Sequence, residues 1–210
     1  KLRKARAVIL DLRLHMGGNS SHARGWVRKF SGADVCPASL HARLVTSTAA
    51  KLFENYLSSA GSDLFPAGTS SGPISVRSWQ AAGADPDRPG WSLISVTGGV
   101  RAENDTLLVV LIDSYVGSAG EDSVKYVQQL ENVVVVGTNT CGAMLAGNAG
   151  VFILPNSRIG LSCGTKISLC EDLVNPDGRG LMPDLWVHPN EALERAIKYI
   201  QAVQADGRNH

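Results

Sequence analysis

Three short apolar runs have the length and composition of strands buried on both faces: Val8–Leu10, Leu107–Ile112 and Val133–Val136. Between the last two runs, Glu121 to Leu130 carries apolar residues on one side at helical spacing. A strand, a helix and a second strand at this length predict a βαβ unit with parallel strands. The hydrophobic pattern therefore favours an α/β fold built around a parallel sheet.

Weaker patterns predict further elements on either side of this unit. Apolar residues recur at helical spacing from Leu44 to Leu57, which predicts a helix. A turn signal at residues 155–157 lies between two apolar runs and predicts a β-hairpin from Val151–Leu154 to Arg158–Ser162. Near the C-terminus, Asn190 has the character of an N-cap. It precedes a predicted helix that carries the apolar residues Leu193, Ile197, Ile200 and Val203.

The length of 210 residues suits one domain with an embellishment. Residues 59–105 are rich in Ser, Gly, Pro and Asp, and we expect an irregular insertion or pairs of short strands there. A long excursion of this kind is often a lid or a binding surface. The chain begins directly on a buried-strand pattern, so we expect the upstream part of a longer protein to be missing.

Composition excludes several classes of partner. The formal net charge is +1, with 44% hydrophobic and 19% charged residues, so no strong field attracts nucleic acid or an anionic membrane. The apolar runs are far shorter than the roughly 20 residues that cross a bilayer, and no signal peptide is visible. These features do not predict a cellular compartment.

The four cysteines, at positions 36, 141, 163 and 170, form no Cys-x-x-Cys pair and have no histidine at zinc-finger spacing. They fit a reduced environment or buried small apolar side chains better than a disulfide scaffold. We therefore expect no structural metal site.

The segment from Leu107 to Asp122 contains the strongest candidate for chemistry. Its apolar run ends at a carboxylate, Asp113, and after a short turn Ser118 stands among small residues at the start of the predicted helix. A serine in that position is exposed at the carboxyl edge of a buried strand, with the amides of a helix N-terminus beside it. The pattern predicts a nucleophile.

Four short segments appear in a fixed order along the chain. They are Asp11-Leu12-Arg13 with Gly17-Gly18, Asp113 through Ser118-Ala119-Gly120-Glu121, Gly137-Thr138-Asn139-Thr140-Cys141-Gly142, and Gly180-Leu181-Met182-Pro183-Asp184. Together they resemble the serine peptidases of the C-terminal processing protease and tricorn core-protease family. The similarity runs from Ala7 to Val187, except the insertion.

The resemblance implies the spiral βαβ fold shared with the Clp proteases and crotonases, with residues 1–210 as the C-terminal part of a catalytic core. Position by position, Ser118 matches the nucleophile. Ala119 and either Gly17 or Gly18 match the residues whose amides form the oxyanion hole. The resemblance implies a peptide or protein substrate and neither a metal nor a cofactor.

The same resemblance leaves the base outside this chain. One branch of the family uses a lysine where this sequence has Ala143, whereas the tricorn-like branch uses a histidine from an upstream Asp-x-His segment, which these residues lack. Asp177 matches the acid that assists this histidine, and Glu171 is a weaker second candidate. The pattern at residues 175–178 is equally typical of a plain β-turn. His15 stands where the family usually has asparagine. It is either a surrogate base, a residue that lines the substrate cleft, or a side chain that only fills the place of the asparagine.

These observations predict a serine endopeptidase that works through an acyl-enzyme. A catalytically inactive, peptide-binding relative of the same fold is the alternative. A crotonase-like acyl-transfer enzyme, which shares the oxyanion chemistry without needing Ser118, is the third possibility.

Overall fold

The computed structural model describes residues 2–45, 90–147, 149–170 and 175–206. After a 3-10 turn at Leu2–Lys4, the elements in chain order are β1 (Ala7–Asp11), α1 (Ser21–Ser31), β2 (Ser39–Val45), β3 (Gly90–Thr97), β4 (Leu107–Ile112), α2 (Ala119–Val127), β5 (Val133–Gly137), β6 (Ala146–Gly147), β7 (Gly150–Ile153), β8 (Gly160–Cys163), β9 (Lys166–Cys170), β10 (Leu185–Trp186) and α3 (Pro189–Asp206). In these described ranges no helix is long and apolar enough to cross a membrane.

The chain divides into two compact units. The first contains residues 1–38, 98–144 and 176–210, and the second contains residues 39–97 and 145–175. The first unit is built on a four-stranded sheet in the order β1-β4-β5-β10, in which every neighbouring pair is parallel. Helix α2 connects the adjacent parallel strands β4 and β5. The predicted α/β fold with a parallel sheet and flanking helices is confirmed.

Strand β4 is apolar at every position because helices cover both faces of the sheet. Leu108, Val110 and Ile112 pack in one buried cluster with residues of α1 and α2. Val109 and Leu111 pack on the opposite face with residues of α3. Successive side chains of a strand point to opposite faces, so a strand covered on both sides shows a continuous hydrophobic run.

The second unit contains an antiparallel sheet in the order β3-β2-β9-β6 and the predicted hairpin, formed by β7 and β8. The helix predicted from Leu44 to Leu57 is wrong at its first two residues, which end strand β2. Leu44 donates its N–H to the carbonyl of Thr165 (2.9 Å), so pairing with distant strands overrides the local helical period. Residues 46–57 lie outside the described part.

In the predicted insertion at 59–105, the described part contains strand β3, which pairs with β2 outside the insertion; residues 59–89 lie outside the described part. Helix α3 is present, but Asn190 is not its N-cap. The helix begins at Pro189, a residue favoured at the first helical position. His188 takes the capping place, because its Nδ1 accepts the N–H of Asn190 at 3.3 Å.

The buried face of α3 is formed by small residues. Ala192 and Ala196 are fully buried against the sheet, whereas Leu193, Ile197 and Val203 are more than 40% exposed. The two alanines allow the helix backbone to lie close to the sheet. The larger apolar side chains beside them extend past the contact.

Two glycine substitutions test the packing of the sheet. Gly137 has φ +142°, and a Cβ there would overlap the carbonyl oxygen of Ile112. Gly25 lies within α1 with no atom within 4 Å of its Cβ position. We expect Gly137→Ala to lower the free energy of unfolding by about 2–4 kcal/mol. Gly25→Ala should raise it by about 0.5–1 kcal/mol in urea unfolding. Equal effects would contradict the packing described for β4 and β5.

Candidate active site

Ser118 occupies a strained turn at the N-terminus of α2. Its backbone angles are φ 52° and ψ −120°, a conformation that residues other than glycine rarely adopt. Its side chain is exposed, although its neighbours Val116, Gly117, Ala119 and Gly120 are all buried. The turn therefore raises one hydroxyl above a buried surface. Strain of this kind is held in place by surrounding contacts and is frequent at functional sites.

The glycine turn after β1 lies directly against this serine. A Cβ on Gly17 would stand 2.9 Å from Cβ and 3.4 Å from Oγ of Ser118, and Gly17 has φ +129°. The carbonyl oxygen of His15 accepts the N–H of Gly117 (3.1 Å), and a Cβ on Gly120 would overlap that same oxygen. Glycine is required at these positions because two backbone turns approach each other without room for side chains.

Among the described residues, the backbone amides of Gly18 and Ala119 have no acceptor; Ala119 directly follows Ser118, and Gly18 directly follows the Gly17 that lies against it. Gly17 differs, because it donates its N–H to Nδ1 of His15 at 3.3 Å. Of the two glycines, Gly18 is therefore the one whose amide is available to a ligand. Paired N–H groups next to a nucleophile can stabilise a developing oxyanion.

A buried carboxylate fixes the turn that contains Ser118. Glu121 is fully buried on α2, and its two oxygens accept four hydrogen bonds. Oε1 accepts from the Thr140 hydroxyl (2.6 Å) and the Gly142 N–H (2.8 Å). Oε2 accepts from the Ser118 N–H (3.1 Å) and the Ala143 N–H (2.9 Å). The ionised group thus joins the serine to the loop at residues 140–143 with charge-assisted bonds.

The loop at residues 140–143 rests in turn on the segment around residue 180. Thr140 and Leu181 exchange two hydrogen bonds: the Leu181 N–H donates to Oγ1 of Thr140 (2.7 Å), and the Thr140 N–H donates to the Leu181 carbonyl (3.1 Å). Asp177 accepts the N–H of Met144 on Oδ1 at 2.9 Å. The hydrogen bonds that Ser118 and His15 make within the described residues do not involve Asp177.

A second buried acid, Asp113, links the two turns. Its Oδ1 accepts the N–H groups of Leu14 (3.2 Å) and Tyr115 (3.0 Å). The glycine turn is also tied to α3. Arg13 forms a bidentate ion pair with Asp11, with bonds of 2.9 and 2.6 Å, and donates to the carbonyl of Pro189 at 2.6 Å.

The predicted site residues meet only in part. The structure brings Gly17 against Ser118, and the His15 ring accepts the Gly17 N–H; Gly18 and Ala119 are the next residues of these two turns, and no atom lies within 4 Å of a Cβ position at Gly18. Asp177 binds the loop that contains Met144. Glu171, the weaker acid candidate, lies outside the described residues. No candidate metal cluster of three or more His, Cys, Asp or Glu residues occurs among the described residues.

Sequence reasoning missed the anchoring role of Glu121. A signal was available, since Ser118 and Glu121 have the Ser-x-x-Glu spacing of a capping box, in which the glutamate binds back to the first amide. Cys141 and Cys163 are free and exposed, so of the two alternatives for the cysteines the buried one does not apply to them. Cys36 is free and partly buried.

Comparison with known families gives one match over most of the chain. A family model described as peptidase family S41 matches residues 1–186. No curated protein matches the sequence.

Solved structures with the same fold have low sequence identity. A putative peptidase from Parabacteroides merdae is 16% identical with a TM-score of 0.55, over 93% of this chain and 52% of that chain. Mature CPAF complexed with lactacystin is 14% identical with a TM-score of 0.57, over 94% of this chain and 43% of that chain. The photosystem II D1 C-terminal processing protease is 16% identical with a TM-score of 0.47, over 90% and 38% respectively. The chain thus spans about half the length of these relatives or less.

Replacement of the buried carboxylate tests the network. In Glu121→Gln an NH2 group replaces one of the two oxygens, so either the Ser118 and Ala143 amides or the Thr140 hydroxyl and the Gly142 amide lose their acceptor. We expect the free energy of unfolding to fall by about 2 kcal/mol or more. Hydrogen exchange should accelerate at the Gly142 amide or at the Ala143 amide, whichever faces the new NH2 group. Glu131→Gln, at an exposed position, is the control and should change neither quantity. Unchanged exchange in Glu121→Gln would contradict the network.

The Asp11–Arg13 pair gives a pH-dependent prediction. The Arg13 hydrogen bonds lower the pKa of Asp11 below its ordinary value. The stabilisation is therefore complete above the unfolded-state pKa of about 3.9 and is lost as the pH falls through the lower folded-state value. The difference in melting temperature between the wild type and Asp11→Asn should shrink as the pH is lowered from about 5 to 2. A constant difference would exclude this linkage.

Proposed function

Because the chain belongs to peptidase family S41, we propose that Ser118 is the nucleophile of a serine-type endopeptidase that cleaves peptide or protein substrates. The observation that carries the proposal is the exposed, strained Ser118 beside the acceptor-free amides of Gly18 and Ala119. A nucleophile and oxyanion donors on rigid turns are the arrangement that acyl transfer needs.

In the proposed mechanism, Oγ of Ser118 attacks the carbonyl carbon of the scissile peptide bond and its proton passes to a general base. The oxyanion of the tetrahedral intermediate accepts hydrogen bonds from the amides of Ala119 and Gly18. Collapse of the intermediate expels the amine, which takes the proton from the base and leaves an acyl-enzyme on Ser118. Water, deprotonated by the same base, then hydrolyses the ester.

The general base is proposed to be a histidine encoded upstream of Lys1. Among the described residues, no histidine or lysine nitrogen hydrogen-bonds to the Ser118 hydroxyl. The position at which one branch of the family has lysine is Ala143, which contributes only its N–H, to Glu121. Asp177 remains the proposed acidic partner of the histidine, with Glu171 as the second choice. In that role, Asp177 would both hold Met144 and orient the base.

An inactive, peptide-binding relative is the second candidate. The observation in its favour is that His15 accepts the Gly17 N–H, which removes one amide from the possible oxyanion donors. Such a protein would keep the fold and bind peptides near Ser118 without turnover. Membership of a peptidase family favours the enzyme and disfavours crotonase-type chemistry.

A fluorophosphonate, which reacts with activated serines, tests the proposal. We expect it to label Ser118 in the full-length protein, as mapped by mass spectrometry, and Ser118→Ala to abolish both labelling and peptide hydrolysis. Ser114→Ala, at an exposed serine in the same turn region, is the matched control and should retain both. Peptide binding without labelling or hydrolysis in the full-length protein would overturn the endopeptidase hypothesis and favour an inactive, peptide-binding relative.

The same reagent locates the base. If residues 1–210 alone are not labelled and the full-length protein is, the base lies upstream. Labelling of residues 1–210 alone would contradict the upstream base and direct attention to His15, which His15→Ala would then test.

A further inference from the structure

A cavity of about 260 Å³ lies within the first unit, between the end of β1, helix α1 and helix α2. Its walls are mainly apolar. They include Leu12, Trp26, Val27 and Val127. Trp26 stacks on Phe30 with ring centroids 4.9 Å apart, and both Val27 and Val127 belong to the buried core. The walls are therefore fixed by packing, and the cavity is formed before any ligand binds.

The cavity adjoins both parts of the candidate active site. His15 lines it, and the same ring accepts the N–H of Gly17, which touches Ser118. Ser123 lines it from the other side and donates its hydroxyl to the carbonyl of Ala119 at 2.8 Å. At a rise of 1.5 Å per residue, Ser123 is only about 6 Å along the helix axis from Ala119.

The size and chemistry of the cavity define its ligand. Its volume is below the roughly 300–1,000 Å³ of pockets for drug-sized molecules, and it matches a single large side chain. The polar residues in its lining are His15, His22 and Ser123, and the Ser123 hydroxyl already donates to a backbone carbonyl. No carboxylate, lysine or arginine lines it, so a charged side chain would lose its hydration without gaining a counter-ion.

We propose that this cavity binds the side chain of the substrate residue whose carbonyl is attacked, and that it selects large aliphatic or aromatic side chains. The inference rests on the proposed function, since it assumes attack by Ser118. His15 and Ser123, which line the cavity, are hydrogen-bonded to Gly17 and Ala119, so the proposal directs the side chain of that substrate residue toward the cavity. Filling the cavity would then position the scissile bond.

Exposed apolar side chains around the same turns support an apolar substrate. Leu14, Met16 and Tyr115 are 68%, 75% and 60% exposed. Leu14 and Tyr115 are held by the same carboxylate of Asp113, so they flank one site. Clustered exposed apolar residues on a surface mark interaction sites. The chain therefore offers an apolar border beside an apolar pocket.

The test compares peptides that differ only in the residue before the scissile bond, with Ala, Leu, Phe, Asp or Lys at that position. In the full-length protein, kcat/KM for Leu and Phe should exceed that for Asp and Lys by about 100-fold or more. Ala23, which lines the cavity from α1, is replaced in Ala23→Phe to fill it. This variant should lose about 10-fold or more on Leu and Phe and less than about 3-fold on Ala.

Two further variants show whether a loss of activity in Ala23→Phe results from filling the cavity. Ala202→Phe, at an exposed position on α3, is the matched control and should leave all five values unchanged. Val127→Ala enlarges the cavity and should raise the ratio of Phe to Leu cleavage, the opposite direction from filling it. Labelling of Ser118 by a small alkyl fluorophosphonate checks that each variant keeps an intact site.

The outcomes separate this inference from the proposed function. Turnover with no preference for Leu or Phe, or an equal loss on all peptides in Ala23→Phe with labelling preserved, overturns the assignment of the cavity alone. The absence of both turnover and Ser118 labelling in the wild-type full-length protein overturns the endopeptidase proposal, and the cavity assignment falls with it.

Discussion

The site depends on one buried charge. Glu121 has no access to solvent, and an ionised carboxylate in that position is tolerated only because four donors surround it. Those donors come from the turn that contains Ser118 and from the loop after β5. The carboxylate therefore holds these two separate segments next to each other. Thr140 extends the constraint to Leu181. The position of Ser118 is thus set by electrostatic compensation as much as by packing.

Backbone contact supplies the second constraint. The turns that follow β1 and β4 lie side by side because these strands are parallel neighbours, and their carboxyl ends share one edge of the sheet. At Gly17 and Gly120 the two turns touch without intervening side chains. This explains why the four sequence motifs are short and rich in glycine. Most of their glycines lie where the backbones of two segments approach each other closely.

The sequence predicted most of the first unit because its signals are local. The continuous apolar run of β4 and the small residues around Ser118 indicate burial and exposure by themselves. The buried face of α3 does not follow from hydrophobicity, which ranks Leu193 above Ala192, whereas close approach to a sheet selects the smaller residue. Leu44 was misjudged because its strand partners are distant in sequence. The meeting of Gly17 with Ser118 is likewise non-local, and only the family resemblance predicted it.

The strained backbone of Ser118 has a consequence for how this protein would lose competence. A non-glycine residue held in such a conformation stores about 1–3 kcal/mol, which the neighbouring contacts must offset. If those contacts loosen, the turn can relax to an ordinary helix start while both sheet faces stay packed. Some folded molecules would then lack the Ser118 conformation that the proposed function requires. The concentration of working sites has to be counted by titrating the serine, since absorbance or a melting curve would register both populations alike.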